Sequence, residues 1–485
     1  MKKYFAFAAM ALVAAMNFSC SENDNGKFTI TDESGNQYPV GVVATFEGEV
    51  GTEASLKIGV YDRFDIYGVD FGDGNIITDT VCFENGGLRG EDGLEQPGTT
   101  HKSMTEFKGT VSGKGIVRVF GKSDMWALYI TGLMPTTFYE PSMAGLHQLS
   151  ITSVNIESLS LPTFESLTQL AINNTPVKSV NVSNLTALTS LTINNTTASK
   201  YEPQLESIDV SKNTELTYLS LQGNTNHGGK LKSLDLTNNT KLQGMGLYVQ
   251  YNQISDLKLP TEWAPDEVTE TQTITYGLTM INVQNNKLTS LNTENLKKLK
   301  SLYAADNQLT SINVSDMADL AWFDVKNNKL TGDLDLTANK KFTNVYVNGN
   351  ELTSVKVDNV TKQFYFDNNK MTIATMPDLP AGMNTTTKKK QFHYAPQADM
   401  EVTPAGAVVD LSAQAKAKGM EAEEVATTYT VKAGDATLVA DTDYKIEDGK
   451  ITFLKSQKGA VVEMTTAAFP TLTLKTKAFD VTVAE

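Results

Sequence analysis

The sequence predicts a repeat solenoid of about ten stacked units set between two all-β sandwich domains, and three observations carry that prediction. Between Leu146 and Met371 the phrase Leu-x-x-Leu-x-Leu-x-x-Asn-x-Leu recurs, most plainly from Leu278 to Leu288 and from Leu320 to Leu330. A period near 21 residues belongs to units that cannot bury their apolar side alone and must stack. Before and after this stretch the period vanishes, and short alternating apolar runs separated by Gly-containing turns replace it.

The chain opens with Lys2 and Lys3, an apolar run from Tyr4 to Met16, and Asn17-Phe18-Ser19-Cys20. This is the three-part form of a secretory signal and is too short to span a bilayer. The junction resembles a bacterial lipobox, although Asn17 stands where a strict lipobox has Leu. The resemblance implies a signal peptide over 1–19 and a lipidated Cys20 as the mature first residue. Residues 20–26 then form a tether, and Ser21-Glu22-Asn23-Asp24 resembles the surface-export signal of some Gram-negative lipoproteins. The implied address is the outer membrane, lipid-anchored and exposed at the cell surface, with the lipid as the only contact with the membrane.

Loss of the signal takes the formal charge from −15 to about −17. An acidic chain of this kind repels nucleic acid and anionic lipid surfaces. With Cys20 acylated, Cys82 has no partner for an intramolecular disulfide, and its apolar surroundings from Ile76 to Phe83 suit a buried inert thiol.

Residues 27–140 read as a β-sandwich, with strands at Phe28-Thr29-Ile30, Ser55 to Val60 and Ile116 to Phe120. Asp70-Phe71-Gly72-Asp73-Gly74 is a hairpin signal, because Asp and Gly tolerate the backbone angles of tight turns. The phrase resembles the signature of polycystic-kidney-disease-type (PKD) domains, which implies that Asp70 and Asp73 form a turn rather than hold a metal. Gly86 to Gly93 reads as a long loop.

Over 141–380 the units begin near Leu146, Leu167, Leu188, Leu216, Gly244, Leu278, Leu299, Leu320, Phe342 and Thr361. Insertions fall near Thr197–Pro203, Thr225–Lys230 and Pro260–Tyr276. Positions one, four, six and eleven are apolar and form one continuous core when the units stack. Asn at position nine, at 224, 252, 286, 307, 328, 350 and 369, suits an internal ladder in which the amide bonds the turning backbone. Thr175 and Thr196 occupy that position in early units. The pattern resembles the leucine-rich-repeat family, in its short bacterial form with little helix per unit.

Residues 381–391 read as a linker rich in Lys and Thr. From 392 to 485 β-like runs return, with a hairpin turn at Glu447-Asp448-Gly449, and an immunoglobulin-like sandwich is the simplest fit. The two flanking domains are expected to cap the ends of the solenoid core.

In such a solenoid the strands line one concave face, and positions two, three, five, seven and eight point out of it. Position five is small in the first four units and then reads Tyr248, Asn282, Tyr303, Asp324, Tyr346 and Tyr365. Position three adds Trp322, and position eight adds Tyr251 and Asp306. Asn and Gln lie among them, including Gln250, Gln284, Asn344 and Gln363. Tyr and Trp give large contact area at low entropic cost, so this surface suits a protein or glycan ligand. Tyrosines are also good strand residues that stabilise their neighbours in a ladder, and the sequence leaves both readings open.

Asp306, Asp324 and Asp367 share the face, and paired carboxylates are what glycoside hydrolysis needs, but Lys300 and Lys326 stand nearby as ordinary ion partners. His101, His147, His227 and His393 are scattered without metal-ligand spacing. With no nucleotide or nucleophile signature either, the expectation is non-catalytic binding to a protein partner, or to a glycan, without cofactor, metal or nucleic acid. A purely structural envelope protein is the further alternative. Trp263, in an acidic insertion, reads either as a partner anchor or as a pin holding that insertion to the solenoid flank.

Overall fold

The computed structural model describes residues 28–31, 37–60, 64–82, 104–121, 125–138, 143–195, 198–268, 273–383, 386–421 and 423–483. The signal peptide, Cys20 and its tether, the Gly86–Gly93 stretch, His101 and Thr196 lie outside them, as does the Cys82 side chain. The chain divides into two units: one runs to Val154 and includes Phe164–Leu167, the other comprises Asn155–Thr163 and Thr168 onward.

In the first unit one sheet has the order Phe28–Thr31, Gln37–Gly48, Ile116–Gly121, Phe64–Asp70, Ile76–Cys82, with Leu133–Phe138 also against Gln37–Gly48. A second row of strands runs Thr105–Thr110, Glu53–Val60, Met125–Thr131, Gln148–Thr152. Period-two alternation buries Phe46, Leu56, Ile58, Tyr67, Val69, Val117 and Val119. Asp70 is buried and accepts the N–H groups of Gly72 (2.7 Å) and Gly74 (3.0 Å) while facing Arg118 at 3.5 Å. Asp73 caps Asn75, whose amide holds the Asp73 carboxyl below the usual range. Both aspartates therefore build the turn. The strand Gln148–Thr152, expected as the first repeat, pairs in parallel with Met125–Thr131 and groups with this unit.

The second unit is a leucine-rich-repeat solenoid, and among its described residues the only α-helix is Thr386–Lys389. Its face carries ten short parallel strands: Gln169–Asn173, Ser190–Asn194, Tyr218–Ser220, Leu247–Tyr248, Met280–Asn282, Ser301–Tyr303, Trp322–Asp324, Asn344–Tyr346, Gln363–Tyr365 and Phe392–His393. Inside, the apolar positions stack, as with Leu299, Leu302 and Ala304 beneath Leu320, Phe323 and Val325, all fully buried. Each leucine, valine or phenylalanine among them contributes about 1.5–3 kcal/mol on burial.

The asparagine ladder forms with one connectivity. Asn328 Nδ2 donates to the position-six carbonyls of the preceding turn, Ala304 (3.0 Å), and of its own turn, Val325 (2.9 Å), while its Oδ1 accepts Leu309 N–H (2.9 Å). Asn286, Asn307, Asn350 and Asn369 repeat this pattern, and Asn252 makes its longer-armed equivalent. Asn224 departs from the expectation and caps Asn226 and His227 N–H inside its own insertion. In an early unit the buried amide is Asn195, one place before Thr196, and Asn195 bonds other carbonyls, donating to Thr175 O and Tyr201 O, each at 3.0 Å.

The ladder also passes the expected boundary at 391. Gln397 donates to Phe366 O and Tyr394 O and accepts Met371 N–H, in the positions an asparagine would use. Residues assigned from sequence to the linker and the start of the last domain thus form one more turn. A second, unforeseen ladder runs on the other side of the coil: Asn213 bonds Val182 O and Leu185 O, Asn239 bonds Val210 O and Asn213 O, and Asn339 bonds Val314 O and Met317 O.

Beyond Gln397 lie a three-stranded sheet (Val408–Asp410, Lys450–Phe453, Tyr444–Glu447) and a larger one centred on Val425–Ala433 and Gln457–Thr466. Asp448 and Gly449, both with positive φ, turn the expected hairpin. This region closes the last turn: Tyr394 packs edge-on against Phe469, Gln414 accepts Ala374 N–H, and Gly419 N–H reaches Asp378.

Candidate functional site

Strand register sorts the outward residues of the solenoid into rows. One row reads Thr192, Ser220, Tyr248, Asn282, Tyr303, Asp324, Tyr346, Tyr365, His393. The adjacent row reads Met280, Ser301, Trp322, Asn344, Gln363. The two rows bring Tyr303, Trp322, Tyr346, Tyr365 and His393 into one continuous stack. Successive ring centroids are 5.7, 5.6, 5.2 and 3.9 Å apart. Tyr248 instead pairs with Tyr218 at 5.9 Å, separated from the main stack by Asn282, which accepts Gln284 N–H.

The amides among the rings bond to the rings' hydroxyls. Asn344 donates to Tyr346 Oη and to Gln363, Tyr346 donates to Gln363, and Tyr365 donates to Gln391 at 2.8 Å. Gln363 also donates to Gln391 at 3.0 Å. Burial pushes the hydroxyls of Tyr248, Tyr303 and Tyr346 up from their usual values, so the face is partly dehydrated. Trp322 Nε1 is buried without an acceptor among the described residues.

Asp324 lies in the middle of this surface and is only 6% exposed. Burial pushes its carboxyl up, opposed by Lys326, whose Nζ stands 3.6 Å away.

Tyr251 and Asp306, expected as outward contacts at position eight, lie instead at the turn that follows each strand. Their φ values are 58° and 55°, and the same left-handed conformation recurs at Asn174, Asn285, Asn327 and Asn368. Period-two alternation ends with the strand, so position eight does not follow it. Asp306 accepts Asn327 Nδ2 at 2.8 Å, and Tyr251 Oη accepts Gln284 at 3.5 Å, so both serve the turn row.

Several members of the face escaped the sequence reading. Tyr218 stands at position three of its unit, where only Trp322 had been noted. Gln391 and His393 lay beyond the assigned boundary; the signal was Phe392, Tyr394 and Gln397 at positions four, six and nine. Trp263 donates to Asn295 O at 2.6 Å, beside Lys298 bonded to Asp266 and Tyr276 O, and so pins its insertion to the coil. Among the described residues no group of three or more His, Cys, Asp or Glu side chains could hold a metal ion.

No family model matches the chain, and no curated protein matches it. Solved structures do. The functional domain of InlJ from Listeria monocytogenes is 18% identical, covering 70% of this chain and 78% of its own, with a TM-score of 0.40. The plant peptide hormone receptor RGFR1, in complex with RGF2, is 17% identical over 56% of this chain and 46% of its own, with a TM-score of 0.35. YopM from Yersinia pestis, a leucine-rich effector, is 20% identical over 52% and 78%, with a TM-score of 0.29. At these identities nothing about a ligand passes to this chain.

Proposed function

We propose that this protein is a non-catalytic binding lipoprotein that holds a protein partner on the strand-lined face of its solenoid. It is anchored through lipid on Cys20 at the surface of the outer membrane, with a PKD-like domain before the solenoid and an immunoglobulin-like domain after it. The observation that carries the reading is the stack from Tyr303 to His393, in which the hydroxyls of Tyr346 and Tyr365 are already tied by Asn344, Gln363 and Gln391. Rings fixed before an encounter lose little rotamer entropy on binding, which favours affinity. Tilted rings with half-exposed faces also suit the C–H faces of sugars, and this keeps a glycan as the second reading.

A screen of host proteins and glycans with the soluble mature chain, run beside Trp322→Ala and Tyr346→Ala, tests it. Loss of a captured ligand in both variants is the expected result; equal capture by all three proteins overturns the reading. Metabolic labelling with a palmitate analogue, comparing wild type and Cys20→Ala, tests the anchor, and an unlabelled wild type would mean simple secretion.

A further inference from the structure

We infer that Asp324, walled by Tyr303, Trp322 and Tyr346, is the seat for a lysine or arginine side chain from a basic protein segment; the inference rests on the binding role proposed for this face. A carboxylate this buried ordinarily collects several donors. Among the described residues Asp324 has one hydrogen bond, from Lys326 N–H at 3.3 Å, and a loose ion pair with Lys326 Nζ at 3.6 Å. Register sets Tyr303 and Tyr346 on either side of it in the same row. Electron-rich ring faces around a carboxylate attract a cation from two directions at once.

The chain already supplies a stand-in. Lys326 Nζ lies near the carboxylate and 5.9 Å from the centroid of the Tyr346 ring, touching both elements of the site without a close bond to either. Its side chain is 39% exposed, so it can swing into water and be replaced by a cation held on a partner's backbone. The formal charge of −15 draws basic segments toward the protein over a longer range, and a neutral sugar gains nothing from that field.

The test is fluorescence anisotropy on the full mature chain with a labelled decapeptide of alternating Lys and Ser, a Glu counterpart, and a neutral oligosaccharide. The Lys peptide should bind, and Asp324→Asn should weaken it about tenfold, the loss of one charge-assisted contact. Asp316→Asn, which removes an exposed acid outside the aromatic rows, should change it less than about twofold. Lys326→Met should strengthen binding by removing the internal competitor, a gain that misfolding cannot produce. Equal effects of Asp316→Asn and Asp324→Asn would mean bulk charge alone and overturn the inference, as would tighter binding of the oligosaccharide than of the Lys peptide. If ligands are found whose capture needs Trp322 but not Asp324, this inference falls while the binding role stands. If no capture depends on Trp322 or Tyr346, the binding role itself falls.

Discussion

The interior asparagine row and the surface aromatic row come from the same repeat, one place per turn, yet they are satisfied in different ways. Each asparagine spends its amide on backbone groups of two successive turns, and each position-six carbonyl, such as Ala304 O or Val325 O, is shared by two successive asparagines in the dry interior. The aromatic row spends its hydroxyls on neighbouring side chains of the same surface, where water can take over. Periodicity therefore marks two things in one sequence: positions the coil cannot do without, and positions it leaves free for another purpose.

Mutations can break or sharpen that contrast. The largest effect is expected for Asn328→Ala, which orphans Leu309 N–H and takes one of two amide donors from each of Ala304 O and Val325 O; a buried orphan costs about 1–3 kcal/mol, so the denaturation midpoint should fall. Trp322→Ala should cost less, about 1–2 kcal/mol from lost ring contacts, because its site borders solvent and its Nε1 has no bond to lose. Tyr346→Phe removes a hydroxyl bonded to Gln363 and should cost about 0.5–1 kcal/mol in the same urea titration. If Asn328→Ala and Tyr346→Phe proved equal, the contrast between the rows would be lost.

Tyr251→Asn should have the opposite sign. An aromatic residue at φ 58° stands where most other turns place Asn, Asp or Gly, as at Asn285, Asp306, Asn327, Gly349 and Asn368, and Asn tolerates that region, so stability should rise by about 0.5 kcal/mol. The smallest effect is pH-dependent. A carboxyl whose folded value is raised by burial, as at Asp324, adds stability below its unfolded value near 3.9 and loses it as pH rises through the folded value. Asp324→Asn should therefore raise the midpoint at neutral pH, with the gain shrinking on acidification. A constant gain across the range would show that the charge is not what destabilises the site.

Much of this was legible in the sequence, because the leucine frame and the Asn at position nine are forced by burial. Six of the seven asparagines form the inter-turn bonds; Asn224 instead spends its Oδ1 on Asn226 and His227 N–H of the insertion that follows it. The turn ending at Gln397 was hidden because Lys389 and Lys390 occupy its first places and a longer amide replaces Asn. The left-handed row at position eight was misread, since alternation holds only while the chain stays extended. Which amide bonds which tyrosine depends on register across turns of unequal length, and no single repeat contains that information.

The bond set shared by Asn286, Asn307, Asn328, Asn350, Asn369 and Gln397 has an evolutionary consequence. Because every junction in this run uses the same groups, a copied unit such as Leu299–Asp319, spliced after itself, keeps old neighbours at the outer junctions, and the one new junction, copy against copy, is closed by that same bond set. Gene duplication can lengthen or shorten this segment one unit at a time, and each copy inherits the interior while its outward residues are free to diverge.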